Sequence, residues 1–234
     1  MEDEALSAVR KKKNSSLVQA MLDLKEKEIS ALVTCANTGA VTAAAVVYLK
    51  RFQGLHHPSL IVALPLPHGM VVALDMGAFV TATAKDLVSY ALLGRSYAIT
   101  SLGLPRPRIG LLNIGREAGR GTPELQQADK ALRTLSYINY VGNVEPEDVF
   151  AGRVDVLVTS GFAGNIFLKT AEAVVKFSSK LSYAPQGALL AGVKGLVIKC
   201  HGSGLGQAIG AAVAQAKAAI KQKTLPLLEL AFHR

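Results

Sequence analysis

The sequence predicts an α/β fold, a three-layer sandwich with a largely parallel sheet, on three observations. Short apolar runs bounded by turn residues alternate with longer helical patterns along all 234 residues. The predicted strands are continuously rather than alternately hydrophobic, which indicates that helices cover both faces of the sheet. Half of the residues are hydrophobic and only 18% are charged, as expected of a chain that buries a large core. No low-complexity linker interrupts this pattern, so a single domain is expected.

The individual elements follow from local signals. A first helix is predicted where Leu17, Met21 and Leu24 recur at helical spacing after a polar cap at residues 14–16. Apolar runs between turns predict strands at residues 31–34, 59–64, 70–74, 108–113, 138–141, 154–159 and 195–200. Longer patterns predict helices at residues 40–52, 83–102, 124–135, 164–180 and 207–222.

Two features bear on the compartment. Residues 29–49 carry no charged side chain and are long enough to span a bilayer, but the polar Asn37-Thr38-Gly39 turn in their middle argues against a transmembrane helix. The first residues lack the order of a signal peptide. The two cysteines, Cys35 and Cys200, are far apart in the sequence, which favours a reducing cytosol over a secreted disulfide scaffold.

The formal charge is +9 and is unevenly distributed. From Gly164 to the end there are nine basic and two acidic residues, so this third carries +7. Such a field favours an anionic partner: a nucleic acid, a membrane surface, an acidic protein or a phosphate-bearing substrate. Lysines that are merely solvated on helix faces are the alternative.

The pattern most informative about function is a repeated junction in which an apolar strand runs through small polar residues into a helix. It occurs at residues 35–40, 160–165 and 201–206. Each junction would present backbone N–H groups and a positive helix end, and parallel strands would bring them to one edge of the sheet. The sequence therefore predicts an anion site at that edge, with ordinary connections as the alternative.

Other site types are not supported. The chain has no Walker A motif, and its closest approach to a dinucleotide fingerprint has the wrong spacing. No metal site is predicted, because His56 and His57 are adjacent rather than helically spaced and the cysteines have no partner at metal-ligand spacing.

Seven motifs together resemble the bacterial phosphate acyltransferase (PlsX) family. They occur in the family's order and cover residues 8–219 of the chain. They are RKKK with SS at 10–16, CANTGA at 35–40, ALDMGA at 73–78, GLLNIG at 110–115, VGNVE at 141–145, SGFAGN with KT at 160–170, and HGS at 201–203.

This resemblance implies an enzyme that moves a fatty acyl group from acyl carrier protein to inorganic phosphate and so makes acyl phosphate for phospholipid synthesis. It implies a fold like that of phosphate acetyltransferases and isocitrate dehydrogenase, a cytoplasmic homodimer, and peripheral association with the inner face of the membrane. No cofactor is expected, since the acyl group arrives on the phosphopantetheine arm of the carrier. The basic last third of the chain would attract that acidic carrier.

The chain also departs from the family pattern. Family members begin with a strand that is not found here, and they carry a helical excursion near residue 182, where this sequence is short. Phe79 and Ser160 stand where asparagine and aspartate are expected. We therefore expect residues 1–234 to form one acyltransferase domain, as an abridged version of a longer protein.

Roles are assigned to the motif residues as hypotheses. Asn165 and Lys169 would hold and neutralise phosphate, and His201 or Ser203 would donate to the oxyanion or the leaving thiol. The remaining residues expected to bind substrate or line the crevice are Asn37, Thr38, Gly39, Asp75, Asn113 and Gly164. Two alternative functions are a phosphate acetyltransferase-like enzyme that uses coenzyme A thioesters and a basic module that binds anions or nucleic acid. The low aromatic content of 6% argues against nucleic acid.

Overall fold

The computed structural model describes residues 2–177, 187–200 and 205–232. Its helices are α1 (Glu2–Lys11), α2 (Ser16–Lys25), α3 (Thr38–Tyr48), α4 (Ala84–Leu102), α5 (Pro123–Arg133), α6 (Pro146–Phe150), α7 (Gly161–Phe177), α8 (Leu205–Lys221) and α9 (Thr224–Phe232). Its strands are β1 (Leu32–Thr34), β2 (Ser59–Leu66), β3 (Gly69–Leu74), β4 (Arg108–Leu112), β5 (Asn139–Val144), β6 (Val156–Val158), β7 (Ala188–Ala191) and β8 (Val197–Lys199).

The strands form one sheet in the order β1-β8-β7-β2-β3-β6-β4-β5. The block β3-β6-β4-β5 is parallel, and so is the pair β1-β8. β2 is antiparallel to both β3 and β7, and β7 is antiparallel to β8. The α/β fold is confirmed, but the sheet is more mixed than expected. One reason is that β2 and β3 form a hairpin closed by Pro67 and His68, and so short a connection can join only antiparallel strands.

Helices cover both faces of this sheet, which confirms the three layers. On one face α4, α5, α8 and α9 pack around side chains such as Leu74, Tyr90 and Leu111. On the other face α1, α2, α3, α6 and α7 pack around side chains such as Met21 and Ala73. Successive residues of β3 contribute to opposite faces, as the alternation of side chains along a strand requires.

The predicted elements are largely present, with shifted boundaries. Thr83 caps α4, and its hydroxyl and backbone N–H exchange hydrogen bonds with Asp86 in a capping box. α3 begins two residues earlier than expected and α7 begins at Gly161 rather than Gly164, because small polar residues were assigned to turns that the helices include. The sequence analysis missed α1, α6, α9 and the short strand β7.

The apolar segment 29–49 folds as β1 and α3, on either side of the Asn37 turn. Among the described residues, no helix is both long and apolar enough to cross a bilayer. The high hydrophobicity of this segment is explained by burial instead, since Val41, Ala44 and Ala45 of α3 are almost fully buried against the sheet.

Candidate active site

A cleft of about 560 Å³ lies between α3 and the start of α7. Its walls come from α1, from α3, from the segment that follows α3, from the segment that follows β3 and from the start of α7. In that order, the lining residues are Ala5 and Leu6; Asn37, Thr38, Gly39, Thr42, Ala43 and Val46; Arg51, His56 and His57; Gly77, Ala78, Phe79 and Val80; and Gly161, Phe162 and Asn165. The first turns of two helices therefore meet at one cavity.

The prediction that the junctions meet at one carboxyl edge of the sheet is wrong for the junctions that follow β1 and β6. β1 and β8 run opposite to β6, because three antiparallel pairings separate them in the sheet. The junctions after β1 and β6 meet for another reason. Both are followed by helices, α3 and α7, that pack on the same face of the sheet, and the cleft lies between those helices.

At the first junction Asn37 caps α3. Its side-chain oxygen accepts a hydrogen bond from the backbone N–H of Ala40 at 3.3 Å, while Thr38 and Gly39 form the first turn. The N-terminus of a helix carries backbone N–H groups without helical acceptors and a partial positive charge. This end of the cleft is therefore suited to bind an anion, as the sequence predicted.

Next to the second junction, directly after β3, lies Asp75, which is completely buried. Its carboxylate accepts hydrogen bonds from the backbone N–H groups of Leu60, Gly77, Ala78 and Phe79, at 2.9 to 3.2 Å. Burial raises the pKa of Asp75 to about 6, although these four hydrogen bonds lower it. Asp75 shapes the wall of the cleft from behind and is not among the residues that line it.

Gly164 and Gly161 bring α7 into close contact with this segment. A Cβ atom on Gly164 would collide with the carbonyl oxygen of Asp75, and one on Gly161 with the carbonyl oxygen of Phe79. Gly164 lies within α7 rather than in the turn where it was expected, so it acts through packing. Asn165, one residue later, does line the cleft, and a Cβ on Gly77 would lie 3.3 Å from its Cβ.

Two predicted site residues lie outside the cleft. Lys169 is exposed one turn further along α7, in a shallow groove with Ile166, Thr170 and Phe177. Asn113 is buried, and both atoms of its amide are used within its own loop, where the oxygen accepts from Ile114 N and the nitrogen donates to Arg120 O. Neither residue shares the cleft with Asn37 and Asn165.

The third junction is described only up to its edge. His201 and Ser203 lie outside the described residues, and their roles stay predictions. The chain reaches them from Cys200, whose backbone N–H donates to Thr34 O at 2.8 Å. Cys200 and Cys35, although far apart in the sequence, are neighbours, and burial together with Cys35 raises the pKa of the Cys200 thiol to about 11.

The charge and polarity of the cleft also favour an anion. None of the described residues that line it is acidic, and Arg51 lies among them. Thr42, which sequence analysis did not single out, is 4% exposed. Its hydroxyl has no hydrogen-bond partner among the described residues, which is unusual for a buried polar group and indicates a donor available to a ligand.

A second, larger cavity of about 900 Å³ lies on the other side of α7. Its lining is almost entirely apolar and includes Leu66, Leu112, Leu125, Phe150 and Ile166. Phe162, in the first turn of α7, lines both this apolar cavity and the cleft. A ligand with a polar end and a long apolar part could therefore occupy both at once.

Comparisons with known proteins show the family of the chain. The model of a family described as "Fatty acid synthesis protein" matches residues 1–184. The chain is 38% identical to the phosphate acyltransferase of Desulforamulus reducens, in an alignment that covers 98% of this chain and 77% of that protein. It is also 38% identical to the phosphate acyltransferase of Brevibacillus brevis, with 94% of this chain and 75% of that protein covered. The chain belongs to the phosphate acyltransferase family.

Solved structures with low sequence identity show the same fold. The EutD phosphotransacetylase from Staphylococcus aureus superposes with a TM-score of 0.61 at 14% identity, over 98% of this chain and 75% of that one. A branched-chain phosphotransacylase from Enterococcus faecalis superposes with a TM-score of 0.62 at 16% identity, over 87% and 77% of the two chains. The expected phosphate acetyltransferase-like fold is thus confirmed for this phosphate acyltransferase family member.

Replacing Gly164 by alanine tests the packing that shapes the cleft. Because the new methyl group would collide with the Asp75 backbone, we expect G164A to lower the free energy of unfolding by about 1–3 kcal/mol and to reduce activity. The matched control is G210A in α8, where a Cβ would meet no described atom within 4 Å. There alanine should raise stability by up to about 1 kcal/mol through helix propensity. Urea unfolding and activity assays measure both. Equal effects of the two substitutions would contradict this role.

Proposed function

We propose that the protein transfers a fatty acyl group from acyl carrier protein to inorganic phosphate and releases acyl phosphate. One observation carries the proposal: the anion-suited cleft and the apolar cavity share α7 and meet at Phe162. The family to which the chain belongs agrees with this reaction.

Phosphate is assigned to the cleft. The first turns of α3 and α7 supply positive helix ends, and the residues placed around the anion are Thr38, Gly39, Thr42 and Asn165. Arg51 adds a full positive charge. Lys169 does not line the cleft; it lies in a groove with Ile166, Thr170 and Val174, which also line the apolar cavity.

The acyl chain is assigned to the apolar cavity. Its volume of about 900 Å³ falls within the range of ligand pockets, and an apolar lining gains free energy by excluding water from a hydrocarbon chain. With the chain in this cavity, the thioester carbonyl would lie near Phe162, where the cavity meets the cleft.

The chemistry then needs no covalent enzyme intermediate. A phosphate oxygen attacks the thioester carbonyl carbon, the carbonyl oxygen becomes an oxyanion, and the carbon–sulfur bond breaks as the thiolate leaves and takes a proton. Fixed donors in a site with little water stabilise such developing charge strongly. The backbone N–H groups of Phe162 and Gly164 already donate to Val80 O and Ser160 O, so the side-chain amide of Asn165, which lines the cleft, is the donor that we assign to the oxyanion. His201 and Ser203 remain the sequence's candidates for assisting the leaving thiol.

The direct test is to follow acyl phosphate formation with two thioester donors. We expect phosphate-dependent turnover with acyl carrier protein thioesters and much slower turnover with the same acyl group on coenzyme A. Faster turnover with short coenzyme A thioesters would favour the phosphate acetyltransferase-like alternative. No acyl transfer from either donor would contradict the proposal.

Thr42 provides a test of the phosphate position. Because its hydroxyl has no partner in the part of the chain that the structure describes, T42V should leave the free energy of unfolding unchanged or raise it. If the hydroxyl donates to phosphate, the same substitution should raise the KM for phosphate by about tenfold, with little change in the KM for the acyl donor. Initial rates at varied phosphate measure this, and the buried Ser59 hydroxyl, also unpartnered, provides the control S59A. An unchanged phosphate KM in T42V would remove Thr42 from the site.

The basic surface nearest the cleft differs from the one expected. The exposed lysines of α8 belong to the layer opposite the cleft, because α8 packs with α4 and α9. In contrast, Ala5 and Leu6 of α1 line the cleft, and α1 ends in an exposed basic run at residues 10–13. We therefore propose that this run, rather than the last third of the chain, guides acidic acyl carrier protein to the site.

Charge reversal distinguishes the two basic surfaces. The double variant K11E/K12E should raise the KM for acyl carrier protein thioesters several-fold and weaken its dependence on salt, since attraction between exposed charges is screened by ions. The matched variant K217E/K221E on α8 removes the same charge and should have a smaller effect. Steady-state assays across a salt series measure both, and a larger effect of the α8 variant would support the original expectation instead.

Assembly and location are proposed from the family resemblance. We propose that the protein works as a cytoplasmic homodimer that associates with the inner face of the membrane, without nucleic acid. Exposed apolar side chains on α7 support the idea that another surface covers this helix, among them Phe162, Ile166, Val174 and Phe177.

A further inference from the structure

Two histidines and one aspartate come together beside the cleft, although Asp86 lies far from His56 and His57 in the sequence. His56 and His57 precede β2, and Asp86 lies in the first turn of α4. The Nδ1 atoms of the two histidines are 3.2 Å apart. His57 Nδ1 lies 3.1 Å from Asp86 Oδ2, and His56 Nδ1 lies 3.6 Å from Asp86 Oδ1. Each of the three residues thus offers one atom able to bind a metal ion, and these atoms, called the triangle below, all lie within 4.8 Å of one another.

Hydrogen bonds among these three side chains do not satisfy all of the atoms that face one another. A neutral imidazole nitrogen either carries a hydrogen and donates it or lacks one and accepts. If His57 Nδ1 carries a hydrogen, it can direct that hydrogen at Asp86 or at His56, but not fully at both. If it lacks one, its lone pair faces the carboxylate. A cation among the three atoms would be attracted by all of them.

The two oxygens of Asp86 are used differently. Oδ2 accepts from both the backbone N–H and the hydroxyl of Thr83, at 2.9 and 2.7 Å. Oδ1 is buried and has no hydrogen-bond partner among the described residues. The Asp86 side chain is 0% exposed, and the facing His56 Nδ1, at 3.6 Å, is beyond hydrogen-bond distance of this oxygen. A buried carboxylate oxygen left unsatisfied in this way points to a further ligand.

The triangle is held in place by its surroundings. The capping box with Thr83 fixes Asp86, and the Arg51 guanidinium donates to the backbone oxygen of His56. The His57 ring packs on the Phe79 ring, with centroids 4.4 Å apart. Such support is typical of metal ligands, whose orientation is fixed by neighbouring groups.

We propose that His56, His57 and Asp86 bind a divalent transition-metal ion, with Zn²⁺ as the best match. Zinc takes histidine nitrogen and carboxylate oxygen at about 2.0–2.1 Å, which places neighbouring ligands of a tetrahedral ion about 3.3 Å apart. The 3.2 Å between the two Nδ1 atoms and the 3.6 Å from His56 Nδ1 to Asp86 Oδ1 agree with this. Three protein ligands leave one position for water or an anion. Since His56 and His57 line the cleft, the bound ion would add positive charge there.

The test measures metal binding and is independent of acyl transfer. The full chain is stripped with chelator and dialysed against Zn²⁺ alone, and against Co²⁺ for spectroscopy. We expect one zinc per chain and a rise in melting temperature with zinc concentration. The cobalt spectrum should show the visible bands of nitrogen and oxygen ligands without intense near-ultraviolet absorption from thiolate.

Variants identify the ligands. H56A and D86N should each weaken zinc binding by at least about tenfold, while H68A, which removes an exposed histidine on the β2–β3 hairpin, should leave it unchanged. The His56 side chain is 67% exposed, so H56A keeps the test valid even if D86N unfolds. No zinc binding by the intact chain, or binding that survives H56A and is lost in C35S, would overturn the proposal.

Discussion

The carboxylate of Asp75 holds together the parts of the molecule that form the cleft. It lies at the end of β3 and accepts hydrogen bonds from the start of β2 and from three successive residues of its own segment. A buried carboxylate is costly unless its oxygens are satisfied, so this segment has little freedom to adopt another shape. The backbone N–H of Asp75 also donates to Thr159 O, which joins the same unit to β6 and hence to α7.

The position of α7 follows from that unit. Gly161 and Gly164 let the helix backbone approach the Asp75 segment more closely than any side chain would allow. One face of the helix start then borders the cleft and another borders the apolar cavity, with Phe162 between them. A single close contact between a helix and a strand end thereby places the anion-suited cleft beside the apolar cavity, which is the juxtaposition that the proposed acyl transfer to phosphate requires.

Local signals predicted most of the elements because each depends on neighbouring residues. The polar cap at residues 14–16 and the apolar runs of the strands act over a few positions, and the structure confirms them, with Ser15 as the cap of α2. Strand direction was harder to predict, since it depends on which strands pair. The position of charged surfaces was also hard to predict: counting shows the positive excess after Gly164, but only packing shows that Ala5 and Leu6 of α1 line the cleft and that α8 lies in the opposite layer.

The sequence by itself determined the family, the α/β architecture and the candidate anion-binding turns at Asn37 and Asn165, because motifs and helix caps are written in consecutive residues. Only the tertiary structure decided which candidates share a cavity. It brought Thr42 into the cleft, left Lys169 and Asn113 outside it, and joined His56 and His57 to an aspartate from a distant helix. The reason is physical: side chains far apart in sequence meet only where packed layers place their backbones, and that placement depends on contacts such as those of Asp75, Gly161 and Gly164.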